Sequence, residues 1–107
     1  MKRNKYNVNT CQLLFDWNEE KSRRNKQKHG LSFEDAKHAF SDENALLIHD
    51  PDHSEEESRF VLLGLDASVG LLVVSHAYRE DDRIIRIISA RRASRREAEQ
   101  YWLRWRK

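Results

Sequence analysis

The chain has 107 residues, of which 38% are hydrophobic and 36% are charged, and its formal net charge is +2. This length fits one domain, which can bury enough apolar surface to fold without a disulfide or a metal. The single cysteine, Cys11, excludes an internal disulfide and a cysteine-based zinc site. No apolar run approaches the ~20 residues that span a bilayer, and no signal-peptide core is present. We therefore expect a cytoplasmic protein that does not associate with a membrane.

The charges are unevenly distributed along the chain. Residues 42–57 contain seven acids and no lysine or arginine, whereas residues 83–107 contain nine basic residues and two acids. Thirteen of the 20 basic residues are arginines, and a guanidinium group binds phosphate in a bidentate fork. This pattern favours a polyanionic ligand. The alternative is an ordinary solvated surface of mixed charge.

The chain is predicted to begin with an extension and a strand. Residues 1–10 are polar and basic without an apolar period, and we expect them to be a loose extension. Residues 11–107 then form a single domain. Its first strand is predicted at Cys11–Trp17, where the sequence is CQLLFDW.

Two helices are predicted next. Asn18 is a suitable N-cap for the first helix, which has acids in its first turn and bases in its last, and Gly30 ends it. The second helix begins at Ser32, which can form a capping box with Asp35.

The second half of the chain is predicted to contain four strands and a closing helix. The strands are predicted at residues 45–49, 59–65, 71–79 and 83–89. Asp50-Pro51-Asp52 breaks the first of them, and the short connections favour an antiparallel meander. The last helix starts at a capping box of Ser94 and Glu97. The element order predicts an α+β fold.

The closing helix carries an apolar stripe that we expect to dock on the sheet. Ala98, Tyr101, Trp102 and Trp105 recur at helical spacing. Trp17, Trp102 and Trp105 could instead stack on nucleobases, but core packing is the favoured interpretation for Trp102. The hydroxyl of Tyr101 could also reach the edge of the sheet.

The chain contains the residue types that RNA cleavage by the adjacent 2′-hydroxyl requires. It has no motif for a catalytic metal, a nucleotide cofactor or a serine nucleophile, so no cofactor is predicted. Cleavage needs a proton acceptor, a proton donor and cations around the phosphorane. Residues 50–59 supply carboxylates and a histidine, and the alternative is a solvated acidic loop.

Two polar residues interrupt apolar strands. Arg86 is costly to bury unpaired, so it should face a cleft or a carboxylate, and Glu57 is a plausible partner. His76 shares a strand face with Tyr78, while Arg79 points to the other face. A hydrogen-bonded position in the core is the favoured interpretation for His76.

Three ordered groups of residues resemble the BrnT toxins of bacterial type II toxin–antitoxin systems. They are residues 15–21 (FDWNEEK) with Asn25 and residues 28–34 (KHGLSFE); Asp50 with His53-Ser54 and residues 57–59 (ESR); and residues 86–93 (RIISARRA) with Glu97 and Tyr101. The resemblance implies a RelE-like ribonuclease fold and a toxin that blocks translation. It also implies a ribbon-helix-helix antitoxin, and repression of operator DNA by the toxin and antitoxin together.

The resemblance also supplies candidate catalytic residues. Carried over by position, they are Lys28, His29, Glu57, Arg59, Arg79, Arg86 and Arg91. Glu57 or His29 is expected to transfer a proton, and the arginines are expected to bind phosphate and stabilise the transition state. Structural roles are expected for Trp17, Gly30, Phe33 and Phe40.

Two alternatives to a ribonuclease toxin stay open. The chain could be a non-catalytic module that binds an antitoxin and acts as a transcriptional corepressor. It could also bind RNA or the ribosome without chemistry, in which case its affinity should fall steeply with salt.

Overall fold

The fold belongs to the α+β class. The computed structural model describes residues 2–8, 11–50, 57–79 and 83–104. In chain order the elements are β1 (Lys2–Val8), β2 (Cys11–Trp17), α1 (Glu19–His29), α2 (Phe33–Ala36), a 3₁₀ helix (Lys37–Ser41), β3 (Leu46–Asp50), β4 (Arg59–Asp66), β5 (Gly70–Arg79), β6 (Ile84–Arg92) and α3 (Arg95–Leu103). The predicted order of strand, helices, meander and closing helix is confirmed.

The strands form one six-stranded sheet in the order β1-β2-β6-β5-β4-β3. β3 to β6 form the predicted antiparallel meander, and β2 pairs with β6 in parallel. The parallel pair brings the start of the domain beside its last strand. Residues far apart in the sequence therefore become neighbours across the sheet.

The N-terminal segment differs from the expected loose extension. Lys2–Val8 forms β1, which pairs antiparallel with β2 from Lys2 opposite Trp17 to Val8 opposite Cys11. An edge strand needs only backbone hydrogen bonds to join a sheet, so a polar sequence without an apolar period can form one. The boundary between extension and domain stays a prediction.

The predicted helix caps are present. The side chain of Asn18 accepts a hydrogen bond from the backbone N–H of Lys21, and Gly30 ends α1 in the left-handed region at φ 76°. Ser32 and Asp35 form both bonds of their capping box. The second helix is shorter than its pattern predicts, because the chain tightens into the 3₁₀ helix after Ala36.

The 3₁₀ helix approaches the sheet closely at Gly64. A Cβ atom at this position would lie 2.6 Å from the backbone oxygen of Ala39. Glycine is therefore required for the 3₁₀ helix to pack against β4.

The core lies mainly between the helical pair and one face of the sheet. Its largest fully buried side chains include Trp17, Phe15, Phe33 and Leu31. This confirms the structural roles expected for Trp17 and Phe33, and Phe40 packs against the same cluster from a partly buried position. We call this side of the sheet the helical-pair face.

On the other side of the sheet, α3 packs over a smaller cluster. Leu63, Val73 and Tyr101 form its buried centre, and we call this side the α3 face. The core role expected for Trp102 is wrong, because its side chain is 44% exposed. Tyr101 makes the buried contact between α3 and the sheet at 1% exposure, so Trp102, the next residue around the helix, points outward.

Several predicted features lie outside the described residues. These are the break at Pro51, the histidine and carboxylates of residues 52–56, and Trp105. None of the described helices is both long and apolar enough to cross a membrane.

Candidate active site

A row of charged residues crosses the α3 face of the sheet. The register places Asp16 of β2 opposite Arg86 of β6, Arg86 opposite Ala77 of β5, and Ala77 opposite Arg59 of β4. Arg59 in turn lies opposite Asp50 of β3. Directly paired residues point to the same face, so these five side chains form one line. We call this line, together with its ion-pair partners Arg79 and Glu57, the charged row.

Two of the candidate residues in this region form the predicted ion pair. A guanidinium nitrogen of Arg86, Nη2, donates a hydrogen bond to Oε1 of Glu57. The two side chains are 25% and 36% exposed, so solvent and a ligand can reach both. The Nε–H of Arg86 is buried and has no hydrogen-bond partner among the described residues. Unpaired buried donors are rare and costly in folded proteins, and catalytic sites are one place where they occur.

Asp16 is a component of the site that the sequence analysis missed. Its carboxylate is 3% exposed and its Oδ2 lies 3.6 Å from Nη1 of Arg79. Arg79 itself is 43% exposed, so a buried carboxylate fixes one side of a cation that solvent can reach. A signal was present in the sequence, because Asp16 lies between the apolar residues Phe15 and Trp17 in a mainly apolar strand, where a buried acid requires a partner.

Ala77 separates the two arginines of the row. Arg59 and Arg86 flank it on neighbouring strands, which places their backbones about 10 Å apart. Ala77 itself is fully buried. A phosphate diester that contacts both arginines can accept hydrogen bonds from two guanidinium groups.

Arg91 shares the α3 face but lies away from the row. It pairs with Val73, four residues from Ala77 along β5, which corresponds to about 13 Å. Its Nη1 and Nη2 donate to Oε1 and Oε2 of Glu97, each at 2.8 Å. Glu97 also accepts from the backbone N–H of Ser94, so this pair fixes the start of α3.

The Arg91–Glu97 pair is strongly held. The hydrogen bonds from Arg91 lower the pKa of Glu97 to about 2, although burial acts in the opposite direction. The same hydrogen bonds raise the pKa of Arg91. Arg91 is therefore engaged by α3, whereas Arg86 faces Glu57 within the row.

Lys28 and His29 lie at the end of α1, on the helical-pair face. The backbone oxygen of His29 accepts a hydrogen bond from Nη1 of Arg92, and Lys28 is exposed. Arg92 pairs with Leu72, a member of the core cluster on that face. The fold therefore brings Glu57, Arg59, Arg79 and Arg86 together and leaves Lys28, His29 and Arg91 elsewhere.

His76 occupies the core, which confirms the favoured interpretation. It is fully buried on the helical-pair face, and its Nδ1 lies 3.0 Å from the backbone oxygen of Val74. A carbonyl oxygen only accepts, so Nδ1 carries the proton and Nε2 accepts from the hydroxyl of Tyr78 at 3.3 Å. Burial lowers the pKa of His76 to about 4, so the neutral ring is the folded form.

A hydrogen-bonded clasp ties α3 to the sheet. The hydroxyl of Tyr101 donates to Oδ2 of Asp42 at 2.5 Å, and the backbone N–H of Leu65 donates to the same oxygen. Burial and the hydrogen bond to Asp42 raise the pKa of Tyr101 to about 12. Tyr101 therefore has a structural role away from the charged row.

The described residues contain no group of three or more His, Cys, Asp or Glu side chains that could hold a metal ion. What the charged row offers is cationic hydrogen-bond donors beside carboxylates. Such a set can bind a phosphate diester and accept a proton from a neighbouring hydroxyl.

The mainly antiparallel sheet, the N-terminal helices and the C-terminal helix define an α+β protein with a RelE-like fold. Residues 17–97 match the family model described as the ribonuclease toxin BrnT of type II toxin–antitoxin systems. The match covers most of the chain, which therefore belongs to the BrnT family. A search of curated proteins finds no significant match. The family membership identifies a ribonuclease toxin with an RNA target and an antitoxin protein as its partner.

Proposed function

We propose that this toxin cleaves RNA at the charged row, by attack of the ribose 2′-hydroxyl on the adjacent phosphate and without a metal ion. The observation that carries the proposal is the convergence of Arg59, Arg79 and Arg86 with Glu57 on one partly exposed sheet face. In this reaction the nucleophile belongs to the substrate. The protein needs only to move protons and to stabilise the negative phosphorane.

Glu57 is the proposed proton acceptor. Of the two candidates for proton transfer, Glu57 contacts Arg86, whereas His29 lies on the opposite face at the end of α1. The 2′-oxygen bonds to phosphorus as its proton passes to Glu57. The bond to the 5′-oxygen breaks and this oxygen takes a proton from solvent water, which leaves a 2′,3′-cyclic phosphate and a 5′-hydroxyl.

The three arginines are the proposed phosphate ligands. Arg59 and Arg86 flank Ala77 on neighbouring strands, and their guanidinium groups can each donate to phosphate oxygens. Arg79 stands beside them, held by Asp16. Fixed cations stabilise the phosphorane without reorganisation, which is worth about 10²–10³-fold per donor in comparable sites.

The product and the role of Glu57 test this mechanism. Purified toxin is incubated with RNA in a chelating buffer, and the new ends are analysed for a 2′,3′-cyclic phosphate. We expect cyclic ends without added metal, and a fall of about 10²–10⁴-fold for Glu57→Gln. Glu20→Gln is the matched control, because Glu20 also pairs with an arginine but lies on the exposed surface of α1.

Two results contradict the mechanism. Cleavage that stops in the chelator contradicts metal independence, and equal activities of Glu57→Gln and the wild type remove Glu57 from the reaction. A wild type that cleaves no RNA, yet increases the affinity of its antitoxin for operator DNA, supports the corepressor alternative instead.

We also propose that the antitoxin is a ribbon-helix-helix protein. In this proposal the toxin–antitoxin complex represses its own operator, and formation of the complex ends the inhibition of translation by the toxin. The resemblance to BrnT toxins supports this proposal. Co-purification of the toxin with the product of an adjacent gene, followed by an operator-binding assay, tests it. An antitoxin of another fold, or a complex that binds no operator DNA, contradicts it.

A further inference from the structure

An apolar cavity lies at the same end of the sheet as the charged row. It has a volume of about 460 Å³ and is lined by Leu47, Ser58, Phe60 and Tyr78. This volume lies within the range of about 300–1,000 Å³ that is usual for small-ligand sites. The cavity opens on the helical-pair face, whereas the charged row lies on the α3 face.

The cavity and the row are continuous along the chain. Ser58 stands between Glu57 and Arg59. Phe60 directly follows Arg59, and Tyr78 directly precedes Arg79. Successive residues of a strand point to opposite faces, so each aromatic side chain is the opposite-face neighbour of a cation. Ser58, which lines the cavity, is exposed and directly precedes β4 between the two sets of residues.

Aromatic rings form the walls of the cavity. The ring centroids of Phe60 and Tyr78 are 5.3 Å apart in an edge-to-face arrangement, and the ring of the exposed His49 lies 5.2 Å from Phe60. Phe60 and Tyr78 are only partly buried, and Leu47 is 51% exposed. The hydroxyl of Tyr78 is directed to His76, so its ring is held in place from the core side.

We propose that this cavity binds one unpaired nucleobase of the RNA substrate, while the adjacent phosphates contact the charged row. The inference rests on the proposed cleavage site and adds a base-binding subsite to it. Aromatic rings stack on the bases of single-stranded RNA, whose splayed bases are free to enter a pocket. Arg59 and Arg79, next to the two aromatic residues in sequence, favour a polyanion over an uncharged apolar segment.

Substitutions in the protein, combined with base removals in the RNA, test the subsite. The probes are short fluorescent single-stranded RNAs in which one nucleotide at a time is abasic, and both their affinity and their cleavage are measured. Phe60→Leu and Tyr78→Leu remove an aromatic face but keep apolar bulk. We expect each to weaken binding by about 5- to 150-fold, the range for loss of one stacked base.

The abasic RNA separates stacking from a folding defect. For wild-type toxin, one abasic position should cause the same loss as the leucine variants. The variants should lose no further affinity for that RNA, because the interaction is already absent. Trp102→Leu is the matched control, because it removes an exposed aromatic ring of α3 outside the cavity and should have no effect.

The outcomes distinguish the subsite from the proposed function. If the losses of affinity from the leucine variants and from the abasic RNA are non-additive but no RNA is cleaved, the subsite is supported and the nuclease mechanism is contradicted. Cleavage with additive losses, or with no sensitive abasic position, overturns the subsite and leaves the mechanism intact. Leucine variants that bind RNA normally but escape neutralisation by the antitoxin also overturn it, because the cavity then belongs to the protein partner.

Discussion

Replacing His76 with phenylalanine should remove a large part of the acid sensitivity of the fold. In the folded protein the pKa of His76 is lowered by burial from 6.5 to about 4. The unfolded chain therefore binds a proton that the folded chain excludes, and stability falls as the pH drops below about 6.5. The full contribution of His76 is retained above that pH and is lost as the pH approaches about 4.

The size of the effect follows from the two pKa values. A proton that binds at 6.5 in the unfolded chain and at about 4 in the folded chain destabilises the fold by about 2 kcal/mol near pH 5 and about 3 kcal/mol near pH 4. Phenylalanine fits the surroundings, because the rings of Phe40 and Tyr78 already contact the imidazole edge-to-face at centroid distances of 4.8 and 5.2 Å. Loss of the hydrogen bond to Val74 adds an offset that is the same at every pH.

Urea unfolding of the wild type and His76→Phe between about pH 7 and about pH 4 measures this contribution. The carboxylates titrate in both proteins, so the difference in their free energies of unfolding isolates His76. The wild type should lose about 3 kcal/mol more than the variant over this range. A difference that stays constant with pH would show that folding does not change the pKa of His76, and the argument that burial excludes its proton would be wrong.

Three further substitutions test other parts of the structure. Tyr101→Phe should lower the free energy of unfolding by about 1.5–3 kcal/mol, because a hydrogen bond to the Asp42 carboxylate is lost; an unchanged urea midpoint would contradict the clasp. Asn25→Ala should cost about 3 kcal/mol or more, since the buried amide makes three hydrogen bonds that join α1 to the following loop and β6; equal stability in urea would refute this link. Asp16→Asn should slow RNA cleavage by about 10- to 100-fold with the fold intact by circular dichroism, because Arg79 loses the carboxylate that orients it; full activity would exclude Asp16 from the site.

Local signals in the sequence predict much of the fold. The N-cap Asn18, the C-terminal Gly30 and the two serine capping boxes act within one helical turn, so the neighbouring residues alone determine them. The strands of the meander are also evident, because their apolar content and short connections are local properties. β1 is not evident, since backbone pairing with β2 forms it without an apolar pattern.

The charged row depends on long-range pairing that the sequence does not reveal. Asp16 meets Arg86 only because β2 and β6 pair in parallel, although 69 residues lie between the two positions. The pair of Arg86 and Glu57 could be predicted, because a buried arginine requires a carboxylate and residues 42–57 are acidic. Which carboxylate stands beside Arg79 depended on the sheet order.

A β-bulge explains why the position of Arg91 could not be deduced from simple alternation. The register shifts between Ser75 and His76, so that Ile88 is an extra residue in β6. Arg86 and Arg91 are five positions apart and would otherwise point to opposite faces. The bulge returns them to the same face, and Glu97 of α3 then binds Arg91.

The central claim is that the charged row, and not the basic surface in general, is the cleavage site. The most direct measurement compares single-turnover RNA cleavage by Arg86→Gln and by Arg24→Gln, each with its fold checked by circular dichroism. Arg24 is a matched control, because it also pairs with a glutamate but lies on α1 with 72% of its side chain exposed. We predict a loss of about 10²–10³-fold for Arg86→Gln and near wild-type cleavage for Arg24→Gln. Equal rates for the two variants would contradict the claim and assign the arginines a general electrostatic role.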